Sequence, residues 1–186
     1  GNTVLYSSAR NEYMITRIKR MMKRTVWALA KQLEKGDFVP SGYEVSFGKG
    51  KIDRIDIYET EDRVYVKVID YKTGTKTFSL ASLYHGLQLQ LAMYMNMAVE
   101  LERRKQPEKK VVPAGLFYYQ MKDPIIDKVE EDKWEETVLS KLRLDGIVNA
   151  NEEVINHLDR EFSGNSLAIP VGKNKNGSLS KTSKAF

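Results

Sequence analysis

Three charged residues sit at the ends of two apolar rows. Val64, Val66, Val68, Asp70 and Lys72 alternate with other residues, so on a β-strand all five share one face. A carboxylate and an ammonium closing such a row are costly unless they are paired or used. Asp53 closes a second row with Ile55 and Ile57, while Arg54, Asp56 and Tyr58 point to the other side. Antiparallel pairing of 52–58 with 64–71 brings Asp53 beside Asp70, and two acids and a lysine then converge. Two carboxylates can hold magnesium or manganese, which polarises a phosphoryl oxygen and lowers the pKa of bound water. A lysine beside them orients the attacking water or steadies developing negative charge. Phosphodiester hydrolysis is the reaction this set suits. The same spacing fits a buried Asp70 to Lys72 ion pair, or a plain strand end and turn through Asp70-Tyr71-Lys72-Thr73-Gly74, and spacing alone weighs the two readings equally.

The elements that must position these residues are legible around them. Residues 52–58 and 64–71 both alternate and are separated by the polar run Glu59-Thr60-Glu61-Asp62-Arg63, which predicts a hairpin. Ser79 is placed to cap a helix over 80–103. On that helix Gln90 and Tyr94 lie four apart on one face with Gly86 and Met97, and Gly86 lets the backbone approach the sheet. An amide and a phenol so placed can hold a phosphate or stack on a base, or they can satisfy each other. From about Asn11 to Lys35 the residues Ile15, Ile18, Met22, Val26, Leu29 and Leu33 form one helical stripe. Arg17, Arg20, Lys23, Arg24 and Lys31 fall opposite it, as a solvated face in preference to a phosphate-contacting one. Gly36 and Pro40 end that helix. Short strands are expected over 43–47 and 116–121, a turn at Asp123-Pro124, and helices over 134–142 and 152–162.

Composition narrows the chemistry. With 41% hydrophobic and 30% charged residues in 186, the chain has the balance of one globular domain. It has no cysteine and two histidines, His85 and His157. Thiolate metal sites are excluded, a histidine cage is disfavoured, and any metal falls to oxygen ligands. The net charge of +5 is unevenly spread: residues 10–35 carry eight basic against two acidic side chains, and 171–186 carry four lysines and no acid, leaving −5 elsewhere. Basic flanks around an acidic centre suit a polyanion and a divalent cation. No apolar run reaches the roughly 18 residues of a membrane span, and no signal-peptide pattern opens the chain, so a cytoplasmic protein is expected. Gly1 in place of an initiator methionine suggests a piece of something longer.

Taken in order, Gly50-Lys51-Ile52-Asp53-Arg54-Ile55-Asp56, Val68-Ile69-Asp70-Tyr71-Lys72-Thr73-Gly74 and Gly86-Leu87-Gln88-Leu89-Gln90-Leu91-Ala92-Met93-Tyr94 resemble the RecB-type nuclease signature of the PD-(D/E)XK superfamily. The likeness is greatest to the AddB-type nuclease domains of bacterial ATP-dependent helicase–exonucleases. It extends to Phe38-Val39-Pro40, Ala114-Gly115-Leu116-Phe117-Tyr118, Leu144-Asp145-Gly146 and Gly177-Ser178-Leu179-Ser180. What the resemblance implies is an α/β, restriction-endonuclease-like core with a central mixed β-sheet flanked by helices, over 1–170, followed by a basic tail at 171–186. It implies that Asp53 and Asp70 ligate Mg2+ or Mn2+ with help from the Tyr71 carbonyl, that Lys72 acts on the water, and that Gln90 and Tyr94 lie near DNA. Arg17, Arg20 and Arg24 are the further candidate DNA contacts. The implied activity is exonucleolytic processing of double-strand breaks beside an AddA-like helicase–nuclease subunit.

Departures from that pattern are informative. The family's upstream metal-site histidine has no counterpart, and neither do its four iron–sulfur cysteines, so no cluster is expected in this chain. The link from Phe47 to Asp53 is short, as if a hairpin were lost. Two rival readings follow: a catalytically incomplete DNA-binding or assembly module that retains the nuclease fold, and a nuclease of the same superfamily from a phage or CRISPR setting. Glu44 reads as a rim acid paired with a lysine, His85 as surface, His157 as non-catalytic, and Met93, Met95 and Met97 as core filling.

Overall fold

The computed structural model describes residues 2–48, 50–74, 79, 81, 89–126 and 129–186. The alternating segments become β1 (Val39–Phe47), β2 (Gly50–Glu59) and β3 (Arg63–Lys72), joined as an antiparallel meander. β3 then pairs in parallel with β4 (Lys110–Gln120), and β4 pairs antiparallel with β5 (Asp145–Val148). The result is a mixed five-stranded sheet in the order β1-β2-β3-β4-β5. A parallel pair needs a long crossover, and α2 (Leu89–Lys105) forms part of it.

That helix covers one face of the sheet. Leu91, Tyr94, Met95, Ala98 and Val99 pack on Val64, Val66, Val68 and Leu116. The other face carries Tyr65, Ile69, Phe117 and Tyr119, covered by Val154, Ile155 and Leu158 of α4 (Glu152–Leu158). A small third cluster of Ala28, Val138, Leu139 and Leu142 ties α1 (Asn2–Lys35) to α3 (Trp134–Leu142). The expected α/β architecture, a central mixed sheet flanked by helices, is the one observed.

Two prolines and a glycine shape the sheet. Pro40 lies on the outer strand β1 next to a register shift, where a missing N–H is tolerated. Pro113 lies within β4, and the ladder shifts register just after it, between Val66 and Lys67. Gly146 has φ +154, and a Cβ there would come within 1.9 Å of the Leu116 carbonyl oxygen. Only glycine lets β5 lie this close to β4.

Several elements differ from expectation. β1 and β4 begin earlier than predicted, and β5, four residues containing an aspartate and a glycine, gives no readable alternation. Helix α1 departs most. Its apolar stripe is not the buried one: Ile15, Ile18, Met22 and Val26 are 46 to 68% exposed. The buried row is Thr25, Ala28 and Gln32, displaced by one residue, or about 100° around the helix. Ala28 packs against Val138, Leu139 and Leu142 of α3, and Gln32 donates to the Leu142 carbonyl (3.1 Å). Of the three methionines expected in the core, Met95 is buried while Met93 and Met97 are exposed.

The lysine-bearing tail is ordered against the body. The Phe186 N–H donates to the Val148 carbonyl, the Val148 N–H donates to the Lys184 carbonyl, and the Lys184 ammonium donates to Asp145 (2.7 Å). Gly36 ends α1 because a Cβ would come within 2.6 Å of the His157 and Leu158 carbonyl oxygens. Arg160 donates to the Glu34 carbonyl in the last turn of α1 and to the Gly36 carbonyl just beyond it.

Candidate active site

The register of the hairpin sets the site. Ile55 pairs with Val68 and Arg54 with Ile69, so Asp53 falls opposite Asp70. One Asp53 oxygen accepts the Tyr71 backbone N–H at 2.8 Å, which fixes the carboxyl at the end of β3. The Asp70 side chain is 7% exposed and forms an ion pair with the Lys72 ammonium. Burial pushes the Asp70 carboxyl above its ordinary range, Asp53 adds to the shift, and Lys72 opposes it. For Lys72 burial acts downward, but the Asp70 charge outweighs it and raises the ammonium. Two acids thus compete for one cation. This oxygen donor set fits magnesium or manganese, and a divalent ion here would offset the burial and the Asp53 charge that lift Asp70. Among the described residues no group of three or more histidine, cysteine or acidic side chains forms a complete cage.

The row continues onto β4. Tyr118 pairs with Asp70 and Gln120 with Lys72, and the Lys72 ammonium lies 5.6 Å from the Tyr118 ring centroid. Burial raises the Tyr118 phenol. Sequence reasoning placed a strand here but assigned neither residue to the site. The parallel β3–β4 register decides their position, and alternation within one strand does not reveal it.

Gln90 and Tyr94 meet on α2, where the Gln90 amide donates to the Tyr94 hydroxyl at 2.7 Å. Tyr94 is buried, edge-on to Phe47 with ring centroids 5.6 Å apart, while Gln90 is exposed. Of the two arrangements left open, the pair satisfies itself in this structure. Gly86, which was to bring the helix against the sheet, and His85 lie outside the described residues, as does the predicted helix start at Leu80.

The three arginines divide. Arg20 (2.5 Å) and Arg24 both bind Asp123, and Arg24 also donates to the Pro124 carbonyl. Arg17 has no ion pair among the described residues. It lines a groove of about 320 Å³ with Tyr13, Ile18, Thr73 and Gly74, next to the end of β3. Glu44 pairs with Lys51 (2.9 Å), as expected. His157 pairs with Asp37 and lies against the Tyr58 ring at 4.2 Å, a packing role.

Behind the candidate site, on the opposite face, lies a cluster that sequence reasoning missed. Arg54 donates through two nitrogens to the two oxygens of Asp56 (2.6 and 2.7 Å), and Lys67 pairs with the same carboxyl at 3.1 Å. All three residues are buried. Burial opposes ionisation of Asp56, but the two cations outweigh it and hold the carboxyl below its ordinary range. The signal was present in Arg54 and Asp56, opposite charges two apart on one strand. Their buried partner came from a different strand.

A family model described as the PD-(D/E)XK nuclease superfamily matches residues 3–170. The chain belongs to this superfamily. It is also similar to bacterial proteins named as a subunit of ATP-dependent helicase/deoxyribonuclease, the AddB type. It is 42% identical to that of Lachnoclostridium phytofermentans over 200 residues, 98% of this chain and 17% of the relative. It is 36% identical to that of Clostridium acetobutylicum over 208 residues, 100% of this chain and 18% of the relative. For Thermoanaerobacter sp. the identity is 34% over 204 residues, 97% of this chain and 18% of the relative. The chain spans less than a fifth of the length of these relatives. Among the described residues no helix is long and apolar enough to cross a membrane.

Proposed function

We propose that the chain is a divalent-metal-dependent DNA exonuclease domain that hydrolyses phosphodiester bonds in double-strand-break processing. It would work in the cytoplasm within a helicase–nuclease complex, beside an AddA-like subunit. The observation that carries this reading is Asp53 facing Asp70 at the ends of two strands, with Lys72 adjoining. Asp53, Asp70 and the Tyr71 carbonyl would hold Mg2+ or Mn2+, which when bound supplies charge neutralisation at the phosphoryl group and a more acidic water.

The protein's own residues supply the remainder. The Tyr71 N–H orients Asp53, so one oxygen is fixed and the other is left for a ligand. Lys72 holds its proton, because Asp70 raises the ammonium, and it acts as an electrostatic and orienting group rather than as a base. Gln90, Tyr94 and the arginines Arg17, Arg20 and Arg24 are the DNA contacts of this reading. Arg17 is the readiest of the three, since Arg20 and Arg24 must first leave or share Asp123.

A second reading, a catalytically incomplete DNA-binding or assembly module, draws on one observation. Only two acids converge among the described residues. End-labelled single-stranded DNA incubated with magnesium or manganese separates the two. Metal-dependent cleavage by the chain, reduced about 10²–10³-fold in Lys72→Ala, supports the enzyme. Binding without cleavage supports the module.

A further inference from the structure

Gln120 is the last residue of β4 and lies beside Lys72 in the sheet register. Both polar atoms of its amide are buried, and neither has a hydrogen-bond partner among the described residues. An amide can donate twice and accept twice, and buried polar groups are ordinarily satisfied. An unsatisfied one weakens the fold relative to an apolar residue of the same size. Gln120 therefore contributes nothing to stability that methionine would not, at a position that adjoins a protonated lysine and a metal-suited acid pair.

The neighbours limit what can answer this amide. Lys72 is drawn to Asp70, and its ammonium lies 5.6 Å from the ring centroid of Tyr118, two residues back from Gln120 on the same strand face. A group that accepts a hydrogen bond from the amide N–H and carries negative charge matches the Lys72 side of the row. A phosphodiester does both, and phosphate contacts from glutamine side chains are common in DNA complexes.

We propose that Gln120 is a substrate-binding residue whose amide N–H donates to a non-bridging oxygen of a DNA phosphate at this site. The inference rests on the nuclease reading and adds to it a neutral contact that holds the strand in register with Lys72. Binding satisfies the amide N–H, so the substrate supplies the acceptor that the fold withholds.

Three variants of the chain test it: Gln120→Met, which keeps size without polarity, Gln120→Glu, which keeps shape with negative charge, and Lys72→Ala. Binding of a fluorescein-labelled single-stranded oligonucleotide is read by anisotropy with calcium in place of magnesium. Cleavage is read with magnesium, and thermal melts are read without DNA. Gln120→Met is expected to melt at or above the wild-type temperature yet bind DNA about tenfold more weakly. Its salt slope should match wild type, because no charge is lost. Gln120→Glu should bind more weakly still. A Gln120→Met protein that binds and cleaves like wild type overturns the inference and leaves the nuclease reading standing. Weak binding accompanied by a matching fall in melting temperature also overturns it, since the role would then be structural. A wild-type chain that neither binds nor cleaves DNA overturns the nuclease reading, and this inference with it.

Discussion

Asp53 and Arg54 are neighbours in sequence, yet they belong to opposite solutions of one electrostatic problem. On the Arg54 face, the buried carboxylate is fully answered within the sheet: two cations enclose it and it is bonded on both oxygens. On the Asp53 face, two carboxylates meet across the strands with a single lysine between them, and the amide of Gln120 has no partner among the described residues. A buried charge cluster that closes on itself is structural. One left in deficit is prepared for something that arrives from outside.

Removing Asp56 should separate the faces most sharply. Asp56→Ala leaves Arg54 and Lys67 buried without their counter-ion, and about 3–5 kcal/mol of stability should be lost, measured by urea unfolding. Replacing Arg54, Asp56 and Lys67 together with apolar residues of like volume should come out near neutral. If Asp56→Ala unfolds at the wild-type urea midpoint, the Asp56 cluster is not the structural half of the comparison.

Asp70→Asn should do the reverse. In metal-free protein near neutral pH it should raise the melting temperature, because the fold disfavours the ionised carboxyl that the substitution removes. It should also abolish metal binding, read by titration calorimetry with manganese. A lower melting temperature would mean that the Lys72 pair outweighs the repulsion from Asp53.

The pH dependences should also oppose each other. Asp70 titrates above its ordinary range in the fold, so its contribution to metal-free stability is full below the ordinary aspartate value. That contribution is lost as pH rises through the raised one. Asp56 titrates below its ordinary range, so its contribution is present above the ordinary value and lost as pH falls through the lowered one. Manganese binds the deprotonated form of Asp70, and its stabilisation should therefore grow with pH through the raised range. Melts across pH with and without manganese check both signs. The smallest effect belongs to Arg17→Ala. It should leave the melt unchanged and reduce the salt slope of DNA binding by about one.

Much of the site was readable because strand alternation has a period of two, and register follows from a short hairpin. Asp53, Asp70 and Lys72 declared themselves by closing apolar rows with charge, and Arg54 and Asp56 were rightly assigned to the reverse face. Helix α1 shows where such reading fails. Periodicity identifies an apolar stripe but does not say what lies against it, and the row of Thr25, Ala28 and Gln32 is buried instead, with Ala28 and Gln32 against α3. The tail was unreadable for the opposite reason, having no periodicity at all, since its order comes from backbone bonds to β5.

By itself the sequence determined the family, the hairpin and the two acids with their lysine, because these depend on local alternation and on motifs within a few residues. The tertiary structure decided which carboxylates are enclosed by cations and which are left short of them. Lys67 reaches Asp56 from the neighbouring strand, while Tyr118 and Gln120 join the Asp70 row through a parallel pairing whose crossover spans nearly 40 residues. Electrostatic completeness is a property of neighbours in space, and no local pattern encodes a neighbour that distant in the chain.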